Sequence, residues 1–226
     1  MIEDRDFPIP EPDDNAVAAM EKAWRRADLQ RYLVRWQTSP IPEVPAPFWD
    51  FSWRALDIGC GMGRYILREG ERHPERAYLG VDKGNLRGGT MLDRVGAADR
   101  PNVFGLHTNI IPLLPKLPPN SLDQVSIFYP NPWWPTKHRQ KRWSYHPILP
   151  VLPKLLRPGG RLLLTSNEAF YLGEFRYAVL HHPEITEMAT SYAGPIRETE
   201  GRTHFEAKFI AEGTPCGEVV FTRRPD

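Results

Sequence analysis

Two cysteines in 226 residues, Cys60 and Cys216, are too few and too far apart for a disulfide framework or a cysteine-based metal cage. A reducing compartment fits that scarcity, and the cytoplasm is expected. Long apolar runs are also missing: none approaches the roughly 18 residues a membrane span requires, and no basic-then-apolar leader opens the chain. No membrane association is expected. Net charge is lacking too, with 29 Lys and Arg against 28 Asp and Glu, so any attraction for nucleic acid must come from a local patch. Proline, by contrast, is plentiful. The 24 prolines cluster at 8–12, 40–47, 112–119 and 130–158 without a repeat, marking chain entries and corners.

Residues 1–12, acidic and proline-rich, predict a loose arm with little apolar surface to bury. A helix follows, capped by Asp13 or Asp14, with Ala16, Met20, Ala23, Trp24, Ala27 and the Leu33–Trp36 stretch as its apolar stripe and Arg25, Arg26, Arg31 and Arg35 in water. Packing on a sheet explains this stripe better than a nucleic-acid contact. Residues 40–47 read as a linker, so the chain divides into an arm, helix and linker over 1–53 and a main domain over 54–226. Short apolar runs at 54–58, 77–81, 102–107, 123–129 and 161–166 alternate with helix-competent stretches at 62–72, 84–97 and 168–180. That alternation predicts an α/β, doubly wound, mostly parallel sheet. Three prolines between Tyr145 and Arg157 confine any helix there to Pro150 onward. Ile185–Tyr192, His204–Ile210 and Glu218–Thr222 read as strands, the last two with no helix between them, which predicts an antiparallel edge.

Leu56-Asp57-Ile58-Gly59-Cys60-Gly61-Met62-Gly63 joins the first strand to the first helix of that series. Gly59 and Gly61 admit a ligand close to the backbone, and the amides at the helix start favour a carboxylate or phosphate. Glycines at 59, 61 and 63, with an acid two residues before the first, resemble the first motif of S-adenosylmethionine-dependent methyltransferases more than the G-x-G-x-x-G of dinucleotide sites. Asp82 closes the next strand at the interval where an acid holds ribose hydroxyls, with Lys83 after it. A glycine turn in an unrelated α/β protein is the alternative, and Asp82 weighs against it. After the third strand stands Asn109, placed either to meet an adenine amine with its side-chain oxygen or to cap a helix.

After the fourth strand comes Tyr129-Pro130-Asn131-Pro132-Trp133-Trp134, then Lys137-His138-Arg139-Gln140-Lys141-Arg142. An amide fixed between two prolines can align an acceptor, and Trp133 or Trp134 can stack on a base. Lys137, Arg139, Lys141 and Arg142 are candidate phosphate contacts; a basic run is more often a solvated face, and its place beside this loop lifts it.

These blocks, with Pro118-Pro119-Asn120-Ser121-Leu122-Asp123 and Thr203-His204-Phe205-Glu206, resemble the bacterial tRNA (guanine-N7)-methyltransferases over about Asp57 to Phe221. The resemblance implies the seven-stranded Rossmann-like methyltransferase fold, S-adenosylmethionine as donor and tRNA as partner. By it, Asp57, Asp82, Asn109 and Asn131 fall where the family contacts the donor, and Ser166 and Thr203 to Glu206 where it contacts guanine or tRNA. Three departures accompany it: the family has aspartate at Asn131, lysine at Pro135 and aspartate at Ser166. N7 has a free lone pair, so its methylation needs alignment and tolerance of a cation but no general base. Asn131 is thus the candidate catalytic residue, able to align but not to offer charge. Two other readings compete: a relative that binds donor or RNA without turnover, and a methyltransferase acting on another acceptor, since Asn-Pro before aromatics also resembles enzymes of exocyclic amines.

Overall fold

The computed structural model describes residues 7–34, 40–134, 136–197 and 199–225. Its sheet has seven strands: β1 (Trp53–Ile58), β2 (Arg76–Asp82), β3 (Val103–His107), β4 (Leu122–Phe128), β5 (Leu156–Ser166), β6 (Met188–Pro195) and β7 (Gly217–Arg223), in the order β3-β2-β1-β4-β5-β7-β6. The first five run parallel, while β7 is antiparallel to both β5 and β6. Strands such as β2, buried along six of seven residues, carry near-continuous apolar side chains because helices cover both faces of a parallel sheet. Those helices are α3 (Arg64–Arg72), α4 (Asn85–Ala98) and α7 (Ala169–His181), each within two residues of the stretch read from sequence. The short α5 (Ile110–Leu113) and α6 (Val151–Leu155) complete the crossovers, α6 beginning where the prolines allow. Among the described residues no helix is long and apolar enough to cross a membrane.

Three expectations change. The segment expected as a strand at His204–Ile210 is a helix, α8 (His204–Ala211), lying between the last two strands. Thr203 caps it by accepting the Glu206 N–H at 3.1 Å, the serine or threonine arrangement with an acid three residues on that starts helices. Second, β6 begins at Met188 rather than Ile185, and β5 begins at Leu156, running through Pro158-Gly159-Gly160.

Third, the chain from Phe7 to Pro12 is not a loose arm. Phe7 is buried over Gly217 of β7, Glu11 pairs with Arg176, and the Pro10 carbonyl lies so close to Gly173 of α7 that a Cβ there would collide with it. Behind it, α1 (Asp14–Arg25) is capped by Asp13, whose Oδ1 accepts the Ala16 N–H at 2.7 Å, and buries Met20 and Trp24. The expected single stripe is interrupted: Ala27 is exposed and a separate α2 (Leu29–Val34) follows, while Arg35 and Trp36 lie outside the described residues. Past residues 40–45, a 3-10 turn at Ala46–Asp50 buries Phe48. Phe7, Met20, Trp24 and Phe48 all join the core beneath β1, β4 and β5.

Candidate active site

Beyond the carboxyl ends of the parallel strands the chain turns sharply, and there the candidate residues gather. After β1, Gly59, Gly61 and Gly63 all hold positive φ, +75°, +59° and +78°, which side chains with a Cβ adopt only at a cost. Around a Cβ built on Gly59 or Gly61 no atom of the described residues beyond its chain neighbours lies within 4 Å, so the loop borders open space. The loop is pinned to β2: the Gly59 and Cys60 N–H groups donate to the Val81 carbonyl at 2.8 and 3.2 Å, and the Gly61 N–H donates to Asp82 Oδ2 at 3.0 Å. Asp82 Oδ1 accepts the Gly84 N–H at 2.7 Å, so its carboxylate joins the two loops. Lys83 beside it is exposed.

Asp57, 2% exposed, accepts a hydrogen bond from the Ser126 hydroxyl at 3.1 Å through Oδ1, while Oδ2 has no partner among the described residues. Burial, with the nearby Asp82 charge adding to it, raises its pKa to about 7 against the opposing effects of Ser126 and Arg202. A buried carboxyl with an unused oxygen beside an open glycine loop fits a cationic ligand group. Asp57→Asn is expected to weaken donor binding by about 1.5–3 kcal/mol, the worth of a hydrogen bond to a charged group. Folding stability should move the other way: with the folded pKa raised, the native state holds a proton the unfolded chain has lost, so stability falls as pH rises from about 4 through 7. The asparagine variant should therefore melt above the parent at pH 8 and match it near pH 4. Equal donor affinity by calorimetry would remove Asp57 from the site.

Past β4, Tyr129 and Trp133 take positive φ, +49° and +47°, strained for residues with a Cβ, and bracket Pro130-Asn131-Pro132. Asn131 Oδ1 accepts the Trp133 N–H at 2.9 Å, an Asx turn that fixes the amide. Trp133 carries Lys141 Nζ 4.1 Å from its ring centre, and Trp134, 60% exposed, leans on Phe170. Residues 53–219 of this chain match the family described as "Putative methyltransferase". The chain is also 31% identical to the tRNA (guanine-N(7)-)-methyltransferase of Azorhizobium caulinodans, over 86% of this chain and 85% of that one. It belongs to this methyltransferase family. The corresponding protein of Thiobacillus denitrificans is 28% identical over the same shares of the two chains. Among solved structures, an antibiotic-related methyltransferase superposes with a TM-score of 0.57 at 16% identity, covering 83% of this chain and 98% of its own. A mutant of the 16S rRNA (adenine(1408)-N(1))-methyltransferase from Catenulisporales acidiphilia, solved with cosubstrate SAM, gives 0.55 at 16% identity over 82% and 94%. At that identity the two show the shared fold.

Within this family member the basic run divides. Lys137 and Lys141 are exposed and Arg139 is half-buried over the Tyr145 ring, but Arg142 is 6% exposed and committed elsewhere. Its guanidinium donates to the Pro132 carbonyl at 2.8 Å, the Trp133 carbonyl at 3.1 Å and Glu174 Oε1 of α7 at 2.8 Å. Expected on phosphates, Arg142 instead fastens the Asn131 loop from below, because Glu174 supplies the counter-charge that lets it be buried.

Glu206, expected at the substrate, is likewise fully buried. Its carboxylate accepts the Arg202 backbone N–H at 2.6 Å, the Arg202 guanidinium at 2.8–3.2 Å and the Tyr129 hydroxyl at 3.0 Å, so α8 is tied to the residue that opens the Asn131 loop. Arg202 also pairs with Glu218 at 2.8 Å. Those carboxylates hold its pKa above the usual arginine value despite burial. Thr203 is the helix cap, whereas His204 and Phe205 face solvent. Ser166 is buried, its hydroxyl accepting the Glu168 N–H at 3.0 Å, and Asn109 caps α5 by accepting the Ile111 N–H at 3.1 Å. Of the two roles open to Asn109, the cap is the one its side-chain oxygen fills here. Pro135 lies outside the described residues. Sequence reading missed the parts played by Arg202, Tyr129 and Glu174; only the Arg202 to Glu206 spacing, one helical turn, offered a signal.

Proposed function

We propose that this protein methylates N7 of a guanine in tRNA, using S-adenosylmethionine as donor. The observation that carries this reading is the pairing of an open glycine loop, backed by the half-satisfied buried carboxyl of Asp57, with a rigid Asn-Pro-Trp turn at the end of the adjacent strand β4. Asp57, Gly59, Gly61, Gly63, Asp82, Lys83 and Asn131 would hold the donor, with Asp57 suited to its cationic amino group. The donor, when bound, supplies an electrophilic methyl group. Trp133, Trp134 and Phe205 offer ring faces to an unstacked base, Phe205 being 49% exposed, and Lys137, Arg139 and Lys141 offer charge to phosphates. Ser166, Thr203, His204 and Glu206 would shape the acceptor pocket, Glu206 by holding Arg202 and Tyr129 in place. Residues 54–226 would form the methyltransferase unit, with 1–53 serving it. Cys60 and Cys216 are unjoined, which suits the cytoplasm, where we place the protein.

Because N7 donates its own lone pair, the chain must align it and accommodate the positive charge that forms on the purine. The Asn131 amide, fixed by the Trp133 N–H, can align but contributes no charge. Asn131→Asp keeps the acceptor oxygen that holds the turn, so the loop should persist. Added negative charge should raise turnover several-fold with little change in donor affinity. Single-turnover assays on bulk tRNA, with the product nucleoside identified by mass, test this. A lower rate would assign Asn131 to another acceptor, and a product other than 7-methylguanosine would overturn the proposal.

A further inference from the structure

A second basic surface lies on the other side of the glycine loop from the Lys137–Lys141 run, and neither the motifs nor the charge runs of the sequence announce it. Arg64 and Arg68 of α3, Arg94 of α4, Arg100 just beyond α4, and His204 at the start of α8 line an open groove of about 590 Å³. Among the described lining residues Glu71 is the acidic one, beside the four arginines. The heads are held in place. Arg94 donates to the Met62 carbonyl at 3.1 Å, inside the glycine loop, Arg64 to the Glu200 carbonyl at 3.3 Å and Arg68 to the Gly201 carbonyl at 3.3 Å. Each contact takes a small share of the five N–H donors a guanidinium carries. Arg68 also meets Glu69 at 3.2 Å and Arg100 meets Glu71 at 2.9 Å, whereas Arg64 and Arg94 donate to backbone oxygens, which do not cancel a positive charge. The groove therefore lies between α3 and α4, and Arg94 ties it to the glycine loop through the Met62 carbonyl. Burial first, then the charges of Arg94 and Arg64, hold the pKa of His204 below the ordinary imidazole value.

We infer that this groove seats backbone phosphates of the RNA substrate, giving the protein a phosphate-holding surface on the donor side of the site to complement the Lys137–Lys141 run on the acceptor side. The inference rests on the RNA-methyltransferase reading above. Fixed guanidiniums suit phosphate oxygens, which they meet with paired N–H donors.

The test uses the full chain and bulk tRNA. Arg100→Gln, Arg94→Gln and the double variant should weaken tRNA binding roughly fivefold per site, and each should lower the slope of log affinity against log salt by about 0.7–1. Glu71→Gln, which removes the carboxylate paired with Arg100, should tighten binding. Donor affinity should stay constant in Arg100→Gln, which does not touch the glycine loop. Unchanged affinity and salt slope in the double variant, with a parent that binds and methylates tRNA, would overturn the groove alone. A parent that binds no RNA would overturn the groove and the function together.

Discussion

Arg142→Gln is expected to destabilise the fold by about 3–5 kcal/mol, the usual cost of breaking one partner out of a buried ion pair. Glu174 would keep its charge in a buried setting, with the Tyr145 and Ser144 hydroxyls, at 3.1 and 3.4 Å, left as its partners among the described residues. The carbonyls of Pro132 and Trp133 would lose their donor at the same time. Stability and catalysis can then be separated. In the double variant Arg142→Gln, Glu174→Gln the uncompensated charge is gone, so denaturant unfolding should recover much of the loss, but the turn around Asn131 stays unfastened and methyl transfer stays low. Parent-like stability in the single variant would show that Arg142 is not a structural clamp and would return it to the phosphate-binding run.

Glu206→Gln should cost about 3 kcal/mol, the lower end of the same range, because Arg202 would keep Glu218 as a counter-charge. The amide that replaces the carboxylate can accept at one oxygen only, so some of the donors from Arg202 and Tyr129 are left unmatched. Amide exchange in α8 should quicken as its tie to Tyr129 weakens. Chemical denaturation together with the KM for tRNA decides between two roles. Lost stability with parallel loss of turnover makes Glu206 the brace of α8; unchanged stability with a raised KM would make it a substrate contact.

The parallel part of the fold was legible because each central strand announces itself as a short apolar run and ends in polar or glycine residues where the site is built: Asp57 near the end of β1 and Gly59 after it, Asp82 at the end of β2, Asn131 after β4. Pattern failed where a residue's role depends on a distant partner. Lys141 and Arg142 are neighbours in one basic run, yet one is exposed and the other buried, since only Arg142 reaches Glu174, 32 residues later. The α8 segment contains Phe205, Phe209 and Ile210, whose spacing serves strand or helix alike. The threonine cap, Thr203 three residues before Glu206, was the sign that favours a helix. Phe7 was obscured by acidic, proline-rich neighbours, and the composition of a stretch cannot reveal that one ring fits over Gly217.

That ring has a consequence for how the molecule is made. Phe7 precedes the β7 residue it covers by about two hundred residues, and β7 is the strand that links β5 to β6. Closing this contact joins distant parts of the chain, a large loop closure that contributes to slow folding. During synthesis the parallel strands can pair in turn, whereas Phe7 and Pro10 have no surface to settle on until α7 and β7 exist. The segment from Phe7 to Pro12 is therefore expected to dock only after α7 and β7 have formed. Removing residues 7–12 should leave β1 to β5 able to form while exposing the outer face of α7 and β7 to other chains.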